Sequence, residues 1–180
     1  GAGVDVPARV LAYYCHEHGG DARTLRTIVD VLMELTPPLG PADLLACLTA
    51  LVPRLAPVSL LLQAGEALVR LCHLFEQLLL FHDPEIAFLL RRAKIGAETY
   101  CAPWLLTAHA AGIADPSAVL RVWDGWLDRG EPLDPVFLGL ARMMLCHEEL
   151  LLCGPVPELA QLLHASLGAE RHASAAVVDV

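Results

Sequence analysis

Thiols and imidazoles stand side by side at two places in this sequence. One is Cys15-His16-Glu17-His18; the other is Cys146-His147, with Cys153 shortly after. Such side chains hold zinc when four of them converge, and a Cys–His pair can make an activated thiolate. Neither run has paired C-x2-C or H-x3-H spacing, and no local signature marks a nucleophile. The expectation is therefore buried thiols and partly exposed histidines, with no metal site, no cofactor and no catalytic residue. Asp124 is a single carboxylate without a paired acid, which suits a structural hydrogen-bond acceptor better than a general base. Arg91, Arg92 and Lys94 form the one local basic cluster and read as a solvated face. The glycines punctuate helix ends and build no phosphate-cradling loop.

Composition narrows the classes further. The chain carries 56% apolar residues, 18% charged residues and a net charge of −9, with a mean hydropathy of +0.52. Twelve cations that include a single lysine argue against nucleic acid as a partner, because phosphate tracking needs clustered Lys and Arg. The most apolar window, 58–81, is interrupted by Gln63, Glu66, Arg70, His73 and Glu76, so direct membrane insertion is not expected. Six cysteines inside apolar helical patterns read as reduced thiols of a cytoplasmic protein.

Proline and glycine punctuation predicts an all-α chain, a compact bundle of about nine helices. Helices are expected over 7–18, 22–35, 41–52 (stopping at Pro53) and about 57–81. Three later helices share an Asp-Pro start: Asp83-Pro84, Asp115-Pro116 and Asp134-Pro135. In each, the carboxylate can cap the first turn, where proline loses no useful N–H. Pro103 predicts a break near residues 100–102 of a helix over 98–111, and further helices are expected over 136–152 and 156–167. Residues 1–6 read as a linker or cloning remnant, 7–168 as one helical domain, and 169–180 as tail.

The helix after Asp115-Pro116 carries Val119, Leu120, Trp123, Trp126 and Leu127 on one face and ends at Gly130. Trp104 and Trp123 are expected in the core, and Trp126 is the indole left to face a partner. A tryptophan helix, a short Asp-Pro turn and Leu120-Arg121-Val122-Trp123-Asp124 closed by Gly130 resemble the C-terminal half of the TBC domain. That domain is the helical fold of Rab GTPase-activating proteins. The resemblance is clear over 74–152 and takes in Phe81-His82-Asp83-Pro84-Glu85 and the run Cys146-His147-Glu148-Glu149-Leu150-Leu151. It is nearest to the branch that carries a rhodanese-like domain, with the TBC-fused kinase-like branch close behind. Trp104, Trp123, Asp124, Gly130, Asp83 and Pro84 are the motif positions.

The resemblance implies two catalytic fingers from the other half of the domain: an arginine in I-x-x-D-x-x-R and a glutamine in Y-x-Q. The arginine neutralises charge on the transferring phosphoryl group, and the glutamine positions water. None of the eleven arginines here has Asp three residues before it. The residues two before Gln63, Gln77 and Gln161 are Leu61, Phe75 and Leu159. An arginine finger is worth roughly 10³–10⁵ in rate, about 4–7 kcal/mol of barrier. The expectation is a lobe without GTPase-activating activity of its own, serving as an interaction or scaffold module in Rab-linked traffic. Its partners would be a Rab-type small GTPase or a trafficking adaptor, at the edge of Golgi or endosomal membranes. The alternatives are part of an active Rab GTPase activator whose finger-bearing lobe lies elsewhere, and a helical structural adaptor. Self-association is expected through an apolar face at Leu44, Leu45, Leu48, Leu51 and Leu60 to Leu62.

Overall fold

The computed structural model describes residues 5–56, 64–153, 158–159 and 162–163. Among them are nine α-helices and no strand. These are α1 (Val6–His18), α2 (Ala22–Met33), α3 (Pro41–Leu55), α4 (Ala64–His82), α5 (Pro84–Ala93), α6 (Ala97–Leu106), α7 (Pro116–Arg129), α8 (Asp134–Leu145) and α9 (His147–Leu152). A short 3-10 turn, Ala110–Gly112, joins α6 to α7.

Carboxylates start four of these helices. Asp5, Asp21, Asp83 and Asp115 accept from the backbone N–H of Ala8, Thr24, Ile86 and Ser117 at 3.2, 2.8, 3.2 and 2.9 Å. Asp134 departs from the expected cap. It occupies the first helical position behind Leu133, and its carboxylate takes Arg129 Nε at 3.0 Å. It still favours the positive end of the helix dipole there. Gly130 closes α7 in the left-handed region at φ 69°, where a side chain would be strained.

Two proline expectations fail. Pro103 lies inside an unbroken α6 and Pro53 inside α3, which runs on to Leu55. Each sits in the last turns of its helix. The helix interrupted late is held by packing, since α3 buries Leu44, Leu48, Val52 and Leu55, and α6 buries Tyr100, Trp104 and Leu105. Conversely, the single helix expected over 136–152 is divided at Cys146 into α8 and α9. The helix expected from residue 57 is described only from Ala64 onward. Residues 57–63, most of 156–167 and the tail 169–180 lie outside the described residues.

The helices enclose two apolar clusters. In one, α4, α5, α6, α8 and α9 pack Phe75, Leu79, Ile86, Tyr100, Trp104, Met143 and Leu150 together. In the other, α1, α2, α3 and α7 pack Tyr14, Leu25, Ile28, Leu32, Leu48, Trp123 and Trp126. Leu44 and Leu48 belong to this second core and are not free for a partner. Leu45 and Leu51 are half-buried against it, and Leu60 to Leu62 lie outside the described residues. The apolar surplus expected on α3 is largely core.

Candidate functional site

The chain between α6 and α7 passes directly between the two clusters, and the polar groups of the interior gather there. Thr107 ends α6: its hydroxyl donates to the Pro103 carbonyl at 2.7 Å and accepts the Ala111 N–H at 3.0 Å. Ala108 and His109 follow with φ of 48° and 65°, two successive non-glycine residues in the left-handed region. Each such residue costs roughly 1 kcal/mol, so neighbours must hold the turn. They do so from three directions. The His109 N–H reaches the Trp104 carbonyl at 2.7 Å, Trp123 Nε1 donates to the Ala108 carbonyl at 2.8 Å, and His109 Nε2 lies 2.8 Å from the Pro135 carbonyl.

Arg142, from the last turn of α8, completes the junction. It donates to His109 Nδ1 at 3.2 Å and, through its other terminal nitrogen, to the Gly112 carbonyl. Its guanidinium lies 4.6 Å from the Trp104 ring centre. Trp104 in turn stacks on His109, while Trp126 meets His109 edge-on, each with centroids 5.8 Å apart. Gly112 has no room for a side chain, because a Cβ there would stand 2.8 Å from Trp104 Cδ1 and closer still to Arg142.

The partners dictate the charge state. His109 donates through Nε2 and accepts at Nδ1, so it is the neutral tautomer. Complete burial, with Arg142 beside it, pushes its pKa down to about 3. Arg142 is 7% exposed, and burial lowers its pKa to about 10, which leaves it charged at neutral pH. All its neighbours are dipoles and an aromatic face. This is a staple joining α6, α7 and α8, with both terminal nitrogens of its cation engaged inside the junction.

His109 makes acid a denaturant. Its folded pKa lies below the unfolded 6.5, so its stabilisation is present above pH 6.5 and is lost as pH falls from 6.5 toward 3. Between pH 7 and pH 5 the loss should reach about 2 kcal/mol. His147 works with the opposite sign. Its Nδ1 lies 2.7 Å from Asp83 Oδ2, and its Nε2 lies 3.5 Å from Glu85. The hydrogen bond to Asp83 raises its pKa, so that contribution is present below pH 6.5 and is lost as pH rises through the folded value. Urea midpoints measured from pH 7 to pH 5 should fall for the wild type and fall much less for His109→Gln. An unchanged slope in that variant would remove His109 from the account.

The motif residues are dispersed. Trp104 and Trp123 lie in different clusters, on either side of the His109 turn. Trp126, left by the sequence to face a partner, is 7% exposed and packs against His109, because its face of α7 is turned toward the second core. Asp124 is exposed on the opposite face and accepts no hydrogen bond among the described residues, so it is not the structural acceptor anticipated. Asp83 is buried with both oxygens in use, one on the Ile86 N–H and the other on His147. Sequence reasoning missed His109 and Arg142, and it named His147 without foreseeing its bond to Asp83. Arg142 did carry a signal, being the one charge beyond the first turn of an otherwise apolar α8. His109 carried none.

Four of the surface arginines are paired with carboxylates. Arg26 binds Asp30 and Asp5, Arg70 binds Glu66, Arg121 lies 3.7 Å from Asp115, and Arg129 binds Asp134. Gln77, the one glutamine among the described residues, is exposed on α4. No group of three or more His, Cys, Asp or Glu side chains among the described residues could hold a metal. None of the described helices is long and apolar enough to cross a membrane. The family model described as the Rab-GTPase-TBC domain matches residues 27–152. The match begins inside α2, well before residue 74 where the motif resemblance becomes clear, and ends with α9.

Proposed function

This chain belongs to the Rab-GTPase-TBC domain family, and on that premise we propose that it is an interaction module of Rab-linked traffic that does not itself accelerate GTP hydrolysis. The observation that carries the reading is that neither finger motif occurs anywhere in the 180 residues. The internal arginine supports it: Arg142 is spent on Gly112, His109 and Trp104. A Rab-type GTPase or a trafficking adaptor is the partner class, and a Golgi or endosomal surface is the setting. The resemblance of 81–85 and 123–127 to the rhodanese-bearing branch, whose members serve as trafficking adaptors, favours the adaptor role.

Self-association is part of the proposal, but not through α3. Phe81 and Leu152, 82% and 85% exposed, and the exposed Phe88, Phe137 and Leu145 supply apolar surface on α4, α5, α8 and α9. Binding of the purified chain to immobilised Rabs, each loaded with GTP or GDP, tests the module. At least one GTP-loaded Rab should bind with a Kd of about micromolar or tighter, near −8 kcal/mol. Failure to bind any member of a broad panel would leave the structural-adaptor alternative. Sedimentation velocity should show a dimer or larger species at micromolar concentration, and a strict monomer would remove self-association from the proposal.

A further inference from the structure

Two of the free thiols face each other inside the first cluster. Cys72 on α4 and Cys101 on α6 are both buried there. The register of these helices is set by Glu76, whose carboxylate accepts the Ala97 N–H at 3.1 Å. Later residues of α4 meet earlier residues of α6, so the helices run antiparallel. One turn back along α4 and one turn onward along α6 brings Cys72 opposite Cys101. The two thiols are near enough there for each to shift the other's ionisation. Phe75 packs edge-on against Tyr100 and Trp104 beside them, which holds the two helix faces together.

We propose that Cys72 and Cys101 are a latent disulfide site, oxidised by a hydroperoxide to a covalent cross-link between α4 and α6. The two sulfurs differ in exposure, 4% for Cys72 against 1% for Cys101. Their mutual interaction holds Cys72 below the ordinary thiol range, and with burial it raises Cys101. Cys72 is therefore the sulfur that attacks, and Cys101 is the one that resolves.

In the first step the Cys72 sulfur attacks the terminal peroxide oxygen. The O–O bond breaks, two electrons pass from sulfur to the peroxide, and the alcohol or water departs with the thiol proton. Cys72 becomes a sulfenic acid. In the second step the Cys101 sulfur attacks it, the S–S bond forms, the S–O bond breaks, and hydroxide leaves as water with the Cys101 proton. The sum is two thiols and one hydroperoxide giving one disulfide, one alcohol (or water) and one water. Thiols at facing positions of two packed helices need only approach one another to the disulfide length of about 2.05 Å. Hydrogen peroxide, close to water in size, reaches the pair through local opening of the α4–α6 contact.

The test exposes the whole chain to hydrogen peroxide, quenches it, alkylates remaining thiols in denaturant and maps the peptides by mass. The expected product is a Cys72–Cys101 linked peptide, lighter by two hydrogens, restored by dithiothreitol and missing from Cys72→Ser. In Cys101→Ser the reaction should stop at a Cys72 sulfenic acid that dimedone captures. The same treatment in urea should spread the links over several cysteine pairs, which keeps the test decisive if either variant fails to fold. Alkylation of both Cys72 and Cys101 after oxidation of the folded chain, or a link joining a different pair, would overturn the proposal.

Discussion

Trp123→Ala is expected to destabilise the chain by about 3–5 kcal/mol, a large part of the roughly 5–15 kcal/mol that holds a domain folded. The indole is 2% exposed within the core shared by α1, α2, α3 and α7. Its Nε1–H also satisfies the Ala108 carbonyl at 2.8 Å, at the strained turn that leads to His109. Alanine would therefore leave both a cavity and an unpaired buried carbonyl. Trp123→Phe, which keeps most of the volume and loses the donor, should cost less, about 1–3 kcal/mol. Chemical denaturation followed by circular dichroism reads both values. A Trp123→Ala protein of near wild-type stability that no longer binds its partner would make Trp123 a contact residue instead.

Arg142→Met should cost about 2–5 kcal/mol, since two buried acceptors lose their donor at about 1–3 kcal/mol each. The Gly112 carbonyl and His109 Nδ1 are those acceptors, and the cation over the Trp104 ring is lost with them. A second signature separates this from simple loss of packing. Burial is the larger cause of the depressed His109 pKa and Arg142 the lesser, so in the variant His109 should protonate at a higher pH and the acid-side loss of stability should level off earlier than in the wild type. Wild-type stability with an unchanged pH slope would show that the junction does not hold α6, α7 and α8 together.

Much of the architecture was legible because helix starts are local. Asp83 and Asp115 cap their helices by side-chain bonds to residues two or three positions on, and proline behind them marks the first turn. The expectations that failed depend on groups far away in sequence. Pro53 and Pro103 stay inside helices because the faces around them are buried. Trp126 is turned inward with its face of α7, against the second core and against His109, seventeen positions earlier. The break at Cys146 has neither glycine nor proline to announce it. The His109 junction draws on Trp104, Gly112, Trp123, Pro135 and Arg142, partners whose convergence only the folded chain reveals.

GTP hydrolysis by Rabs under single-turnover conditions, with and without an excess of this chain, tests the central claim most directly. Without an arginine in I-x-x-D-x-x-R or a glutamine in Y-x-Q, the chain should leave each Rab at its intrinsic rate. An arginine finger accounts for roughly 10³–10⁵ in rate. Adding a separate finger-bearing lobe tests the alternative and does not alter this result for the chain alone. A stimulation of about tenfold or more, some 1.4 kcal/mol of barrier, that survives replacement of each arginine in turn would contradict the account.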